Sequence, residues 1–401
     1  MKNNKKLLMV FSVAPFPLRE NGTSLRYLPI ICRLNERFEL DIIIINANGN
    51  NIEGLREYCS NYTIIDRPKK GKFALLEKLR MNIYRLFPWT CPYSFEYYGA
   101  KKVKNKIISV ADKEYDAVIW VQNYLTFVPD IQKALNIKKV IVDFIDSPYL
   151  LMQRQLTQGG RVKLSQRYEL WKMKRWERKI QADANQAIYI SAIDAVAAGE
   201  LEHGNNVTVI PNGVSIDDYT DETDINYDGK IIGYLGNMSY GPNVEAVIWM
   251  VKNILTKTVD ESIKLVVIGK SPAKSILALA EDPRVIITGM VEDVWAYVNA
   301  VDIFVLPIFS GAGLKNKVLE LMYAGKPVIT TEIGNEGIYA VDGEHVFICE
   351  TAEEFQQRIE LLFDDERLSA EMGVKSREFV SSNFDWQAII NKYNLVVDKC
   401  L

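Results

Sequence analysis

Only two histidines occur in the 401 residues, His203 and His345. One sits in a His-Gly at a helix end and the other in a Gly-Glu-His turn, so neither is placed for general acid–base catalysis. The five cysteines, Cys32, Cys59, Cys91, Cys349 and Cys400, are scattered and form no Cys-x-x-Cys. They read as isolated reduced thiols, which excludes a disulfide framework and a thiolate zinc site. No Asp-x-Asp stands at a credible metal position. No stretch approaches 18 apolar residues, so no transmembrane helix is expected. The basic start MKNNKK is followed by an apolar run, Leu7 to Val13, that is short and ends in a proline-containing loop without a small-residue cleavage site. It predicts a first buried strand rather than a signal peptide. Neither charge sign dominates, with 48 Lys and Arg against 51 Asp and Glu and a net charge of −3, so overall charge does not argue for nucleic acid. No Gly-x-Gly-x-x-Gly follows the first strand, which argues against a Rossmann oxidoreductase.

What is present is the composition of a globular protein, 48% hydrophobic and 25% charged. The length suggests two to three domains at about 150 residues each. Apolar runs rich in Val and Ile recur at Leu7–Val13, Leu40–Asn46, Ala117–Val121, Lys139–Phe144, Ala187–Ile190 and Val207–Ile210. They resume at Ile231–Leu235, Lys264–Ile268, Val285–Thr288, Ile303–Leu306, Pro327–Thr330 and Val346–Ile348. The runs do not alternate in polarity, which is how parallel strands covered on both faces read. Helical patterns such as Ser24–Asn35, Asn243–Leu255 and Lys315–Tyr323 lie between them. Strand–helix repetition implies an α/β fold with helices on both faces of parallel sheets. Asp217 to Gly229 carries six carboxylates and no basic residue, and reads as a solvated linker. The expected divisions are 1–213, 214–380 and 381–401.

The most specific chemistry lies in Phe309 to Thr331. Gly311, Ala312 and Gly313 follow a strand and Pro307, so backbone N–H groups there can approach a ligand closely. A helix is expected to begin near Leu314 or Lys315, and its N-terminus favours a phosphate. Lys315 and Lys317 fall in its first turn, where cations are unfavourable for a helix alone by a few tenths of a kcal/mol each. That placement points to an anionic ligand. Glu320, three residues after Lys317, is one turn away and suits the hydroxyls of a ribose. Gly325 ends the helix and Pro327 opens the next strand.

This segment resembles the signature of the family-4, group-1 glycosyltransferases of the GT-B fold, in surface-polysaccharide assembly. The match to "LEAMAxGxPVV" runs from Leu319 to Ile329. The family's motif is Glu-x7-Glu, and its first Glu is replaced here by Ala312. The chain is similar instead to a branch with a Gly-x-Gly-x-Lys-x-Lys loop. Val209 to Val214 resembles the hinge that opens the second domain, and Gly233 to Asn243 the first strand and loop of the donor domain. Relatives place Arg and Lys after that strand. This chain has none between Gly233 and Trp249, which assigns the pyrophosphate to Lys317 or Lys315. Gly289 to Val294 resembles the loop that receives the base. The resemblance implies two Rossmann-like parallel-sheet domains facing each other across a cleft. It implies a donor site made of Gly22, Gly236, Asn237, Val294, Gly311, Ala312, Gly313, Leu314, Lys315, Lys317 and Glu320.

In the first domain, Asn21-Gly22-Thr23 resembles the family's glycine loop after the first strand. Arg26, one turn into the next helix, either supports a phosphate or sits in solvent. Asp146 closes a strand at the edge where open α/β sheets bind ligands. It is the candidate catalytic carboxylate together with the cation Lys317, the bland alternative being a helix cap. Asp143 reads as structural. Arg67 to Lys106 carries eleven Lys and Arg interleaved with aromatics, and Arg154 to Lys179 adds Trp171 and Trp176. These stretches are either solvated helix faces, a surface for anionic lipid, or a site for a polyanionic acceptor.

The family implies transfer of a sugar from a nucleotide sugar, a UDP-sugar by preference, to a glycan or lipid-linked acceptor with retention of configuration. No metal or other cofactor is expected, the lysine pair standing in for Mg²⁺. The protein is expected in the cytoplasm, or peripherally at the inner face of the plasma membrane. Phe384-Asp385-Trp386 is expected to open a helix that crosses back to the first domain. Two other readings stay open, a GT-B nucleotide-sugar epimerase and a descendant that binds sugar nucleotide without turnover.

Overall fold

The computed structural model describes the chain apart from residues 1–3, 19–21, 46–51, 67–78, 80–85, 91, 93–99, 112–113, 123–127, 159–161, 200–205, 215–221 and 312. Ala312, Asn21, His203, most of the basic stretch 67–106 and part of the acidic segment lie outside the described residues. The chain divides into two compact units, Met1–Pro211 with Trp386–Leu401, and Asn212–Asp385.

The first unit is built on seven parallel strands: β1 (Lys6–Phe11), β2 (Glu39–Ile45), β3 (Asn61–Ile65), β4 (Ala117–Val121), β5 (Lys139–Ile145), β6 (Gln186–Tyr189) and β7 (Val207–Val209), in the order β3-β2-β1-β4-β5-β6-β7. The second holds β8 (Lys230–Leu235), β9 (Ile263–Ile268), β10 (Val285–Gly289), β11 (Ile303–Leu306), β12 (Val328–Thr330) and β13 (Phe347–Ile348), in the order β10-β9-β8-β11-β12-β13. Each sheet therefore reverses direction once, between β1 and β4 and between β8 and β11. A doubly wound sheet opens its ligand crevice at such a reversal, beyond the carboxyl ends of the strands.

The apolar runs become strands because they are buried on both faces. β4 is buried at every position, and β8 from Ile231 onward. The edge strands β3, β7 and β10 are less covered, β3 being buried at Ile65 alone. The sequence pattern does not predict β3, because a half-exposed edge needs no continuous apolar run. The helix Trp386–Cys400 packs on the helix Gly22–Arg37 of the first unit.

A buried ion pair stands inside the first unit. Arg26 and Asp143 are 1% and 0% exposed, with Nη2 3.3 Å from Oδ2. Arg26 Nη1 also donates to the carbonyls of Ile210 and Pro211 at 3.0 and 3.3 Å. Arg26 thus neither meets a phosphate nor sits in solvent, which corrects the expectation. Asp143 comes from a strand 117 residues away, a partner that helix periodicity cannot announce. Burial pushes the guanidinium toward losing its proton, yet the Asp143 charge holds its pKa above the ordinary arginine value. Removing one member strands the other charge. Arg26→Met is therefore expected to cost about 3–5 kcal/mol in chemical denaturation, with the loss assigned to the first unit by hydrogen exchange. Adding Asp143→Leu should recover most of it; no loss in the single variant would contradict the pair's structural role.

Candidate functional site

In the second unit, the site grows from the two strands that flank the reversal. β8 ends at Leu235, and Gly236 N–H still donates to Ile268 O at 3.0 Å. β11 ends at Leu306, and the loop that follows contains Gly311 at φ +113° and Gly313 at φ +71°. Those left-handed values are open to glycine at little cost and strained for other residues. They return the chain to a helix, Asn316–Tyr323, with Lys315 at its N-cap. The helix therefore begins one residue later than the sequence suggests. Leu314 is buried beneath the loop, and the Lys315 ammonium donates to the Gly313 carbonyl across the turn.

Lys317 folds inward from the first turn of this helix. Its Nζ donates to the Tyr234 hydroxyl at 2.9 Å and to Asn243 Oδ1 at 2.6 Å. It also lies 4.5 Å from the centroid of the Tyr234 ring, where the ring's negative face attracts a cation. The ammonium's two hydrogen-bond partners are thus uncharged. Burial, with the charge of Lys315 added, lowers its pKa to about 7, while Glu320 on the same helix pulls the other way. A Cβ at Gly236 would come within 2.7 Å of Asn243 Nδ2 and 3.3 Å of Lys317 Nζ. The bare backbone at 236 is what lets amide and ammonium reach the strand end. Glu320 is half-buried.

The remaining predicted donor residues have more local duties. The exposed Asn237 uses its side chain to close its own turn, accepting from Ser239 N–H and Oγ–H at 3.0 and 2.8 Å. What it turns inward is its carbonyl, which accepts from Asn243 Nδ2 at 2.9 Å. Val294 is the first residue of the helix Val294–Asn299, whose N-cap Asp293 accepts from Trp295 and Ala296 N–H. Tyr234 and Asn243 are the members that sequence reasoning passed over. The available signal was a buried tyrosine near a strand end followed by Gly-Pro-Asn at the next helix start.

In the first unit, Gly22 opens the helix Gly22–Arg37, and an added Cβ there would meet nothing within 4 Å. Asp146 follows Ile145, a β-branched residue at φ +62°, a strained value of the kind that clusters at working sites. Its neighbour Ser147 caps the next helix, its Oγ accepting from Leu150 N–H at 3.1 Å. Two buried acids support this turn. Asp194 accepts from Ser147 N–H at 2.8 Å, and Glu177 accepts from Tyr149 N–H at 2.9 Å and from the Tyr189 hydroxyl at 3.2 Å. Burial raises the Glu177 pKa to about 7 against those bonds.

A cation lodged at a sheet reversal can neutralise a diphosphate there. An anion would select the protonated lysine. Affinity for inorganic pyrophosphate, measured by calorimetry from pH 6 to 9, should then be level below about pH 7. Above it, affinity should weaken by up to about tenfold per unit as the free lysine deprotonates. Lys317→Ala should remove the pH dependence and most of the affinity, and Gly236→Ala should weaken binding by crowding the ammonium. A flat profile in the unaltered protein would contradict the assignment.

The chain also resembles known proteins. Residues 229–365 match the sequence profile of the family described as glycosyl transferases group 1. The chain is 24% identical over 153 residues to an uncharacterized glycosyltransferase of Methanocaldococcus jannaschii, covering 36% of this chain and 39% of that one. It is 33% identical over 117 residues to a trehalose synthase of Pyrococcus horikoshii, covering 28% of each. The matched stretches thus span well under half of these relatives' own length. Among solved structures, Anabaena HepE in complex with UDP and glucose superposes with a TM-score of 0.68 at 14% identity, covering 98% of this chain and 99% of that one. That likeness extends over both units, whereas the sequence match is concentrated in the second. The segment 229–365, with its glycine loop and helix, thus resembles the group 1 glycosyltransferases, and the two parallel sheets share the GT-B fold of the solved structure.

Proposed function

We propose that the protein transfers a sugar, with retention of anomeric configuration, from a nucleotide sugar to a glycan or lipid-linked acceptor in polysaccharide assembly. The observation that carries the reading is the Lys317 ammonium, held by neutral groups at the β8/β11 reversal beside the glycine loop. A UDP-sugar is the favoured donor, in keeping with the UDP bound in the structure of Anabaena HepE. In this reading Lys317 and Lys315 face the diphosphate, Glu320 takes the ribose hydroxyls, and the backbone around Val294 meets the base. The bond from the sugar's anomeric carbon to the phosphate oxygen breaks with its electron pair going to phosphate. The acceptor oxygen bonds the same face of the carbon, and its proton passes to the departing phosphate. Stabilising that leaving charge is the main catalytic contribution of the two lysines. Asp146 orients the acceptor hydroxyl. The lysines take the place of a metal ion.

The test is release of the leaving nucleotide from a panel of donors, UDP or GDP from UDP- and GDP-sugars and CMP from CMP-sugars, with the product's anomer read by NMR. Turnover of one donor class with retained configuration, undiminished by EDTA, is the expected outcome. Inverted product, or activity lost in EDTA and restored by Mg²⁺ or Mn²⁺, would overturn the corresponding part. An epimerised donor recovered without acceptor would favour the epimerase reading instead.

A lipid-linked acceptor also calls for a membrane-facing surface, and the first unit offers a candidate. Residues 86–90 are tied to the helix Leu164–Asp183. The Lys172 ammonium donates to Thr90 Oγ1 at 2.7 Å, Trp176 Nε1 to Thr90 O at 2.7 Å, and the Tyr168 hydroxyl to Leu86 O at 3.1 Å. Leu86, Phe87, Trp89 and Trp171 remain exposed beside Lys174, Arg175, Arg178 and Lys179. Apolar rings next to cations suit the headgroup boundary of an anionic bilayer. Flotation with vesicles containing phosphatidylglycerol should fall several-fold for Trp89→Ala/Trp171→Ala without loss of thermal stability. Binding that is absent, or equal on neutral vesicles, would remove this surface from the reading.

A further inference from the structure

Asn243 is 7% exposed, in the first turn of the helix Gly241–Met250, and it uses both ends of its amide. Oδ1 accepts from Lys317 Nζ at 2.6 Å and from the Tyr234 hydroxyl at 3.0 Å. Nδ2 donates to the Asn237 carbonyl at 2.9 Å. The amide has one workable orientation. Turned over, it would set NH₂ against an ammonium and a carbonyl against a carbonyl, donor to donor and acceptor to acceptor. Asn243 therefore bridges a cation on one element and a backbone turn on another.

The remaining groups facing the ammonium are few. Tyr234 from β8 lies beneath it, and Lys315 and Glu320 act on it from its own helix. Neither of those charged groups appears among its hydrogen-bond partners. Tyr234 is itself held neutral, since burial raises its pKa above the ordinary phenol value. The position of Nζ is consequently set by two uncharged acceptors, and the amide also anchors the 236–239 turn.

We propose that Asn243 is the positioning residue of the diphosphate site, locking the Lys317 ammonium to the turn after β8 so that cation and turn meet the ligand as one preorganised unit. This rests on the reading of Lys317 as the diphosphate cation. A neutral acceptor fits that duty. It aims the ammonium without spending its charge, whereas a carboxylate in the same place would neutralise it before the ligand arrives. It also makes anion binding proton-linked, because the neutral cage leaves the lysine free to lose its proton when the site is empty.

The experiment compares the unaltered protein with Lys317→Ala, Asn243→Asp, Asn243→Leu and Tyr234→Phe. Each is titrated with inorganic pyrophosphate and with UDP across pH 6 to 9.5. In parallel, the Lys317 side-chain resonance of ¹³C-lysine-labelled protein, assigned by its loss in Lys317→Ala, is followed against pH. Asn243→Asp should raise the Lys317 titration midpoint by more than one pH unit, abolish the decline in affinity above pH 7, and weaken both ligands at least tenfold at pH 6.5. Asn243→Leu should weaken them similarly, and Tyr234→Phe less. If Lys317→Ala loses binding while the Asn243 variants bind and titrate like the unaltered protein, the positioning role is wrong and the phosphate reading stands. If Lys317→Ala binds as before, the phosphate reading fails and the proposal with it. The Asn243→Asp and Tyr234→Phe variants decide the matter should Asn243→Leu not fold.

Discussion

A buried lysine whose hydrogen-bond partners, among the described residues, are neutral governs the second unit. Such a group is costly to bury charged, and its lowered pKa records that cost. Structure-building interactions normally remove it by pairing. Here Tyr234 and Asn243 satisfy hydrogen bonds and leave the charge unpaired. Gly236 keeps side-chain atoms out of the space they need, and the left-handed Gly311 and Gly313 deliver the helix that carries the lysine. Each feature is unfavourable or neutral for folding alone, and together they hold a cation among neutral groups at the end of β8.

The first unit treats its buried cation in the opposite way. Arg26 has a carboxylate at 3.3 Å and two carbonyls besides. Its charge is spent internally, and it fixes the segment Ile210–Pro211 by which the chain leaves the unit. One cation is matched by a carboxylate; the other is hydrogen-bonded, among the described residues, to neutral groups.

Much of this was legible beforehand. The strands at both cores announced themselves as Val- and Ile-rich runs, since burial on both faces admits little else. The glycine loop and the helix that follows it were legible too, as was the oddity of two lysines at a helix start, where cations are otherwise unfavourable. Legibility failed where meaning depended on distant partners. Arg26 looked like a ligand or surface group because nothing in its helix reveals Asp143. Tyr234 and Asn243 stand 83 and 74 residues before Lys317, so their duty exists only after folding. β3 was missed for a simpler reason, as an edge strand need be apolar at few positions. A cap is seen at Ser147, the neighbour of Asp146, an offset of one residue that local pattern does not resolve.

The second unit enters the chain after Pro211 and leaves it at Asp385, and those two ends meet. Val214 bridges Asp385, and its N–H donates to the Phe384 carbonyl at 2.8 Å. Topologically the unit is an insertion whose termini are adjacent, the arrangement under which one domain can be exchanged for another without stretching its host. Recombination at those two neighbouring joints would replace the whole second unit as a cassette while the C-terminal helix stayed with its own sheet. A lineage built this way can change its two units on separate evolutionary clocks.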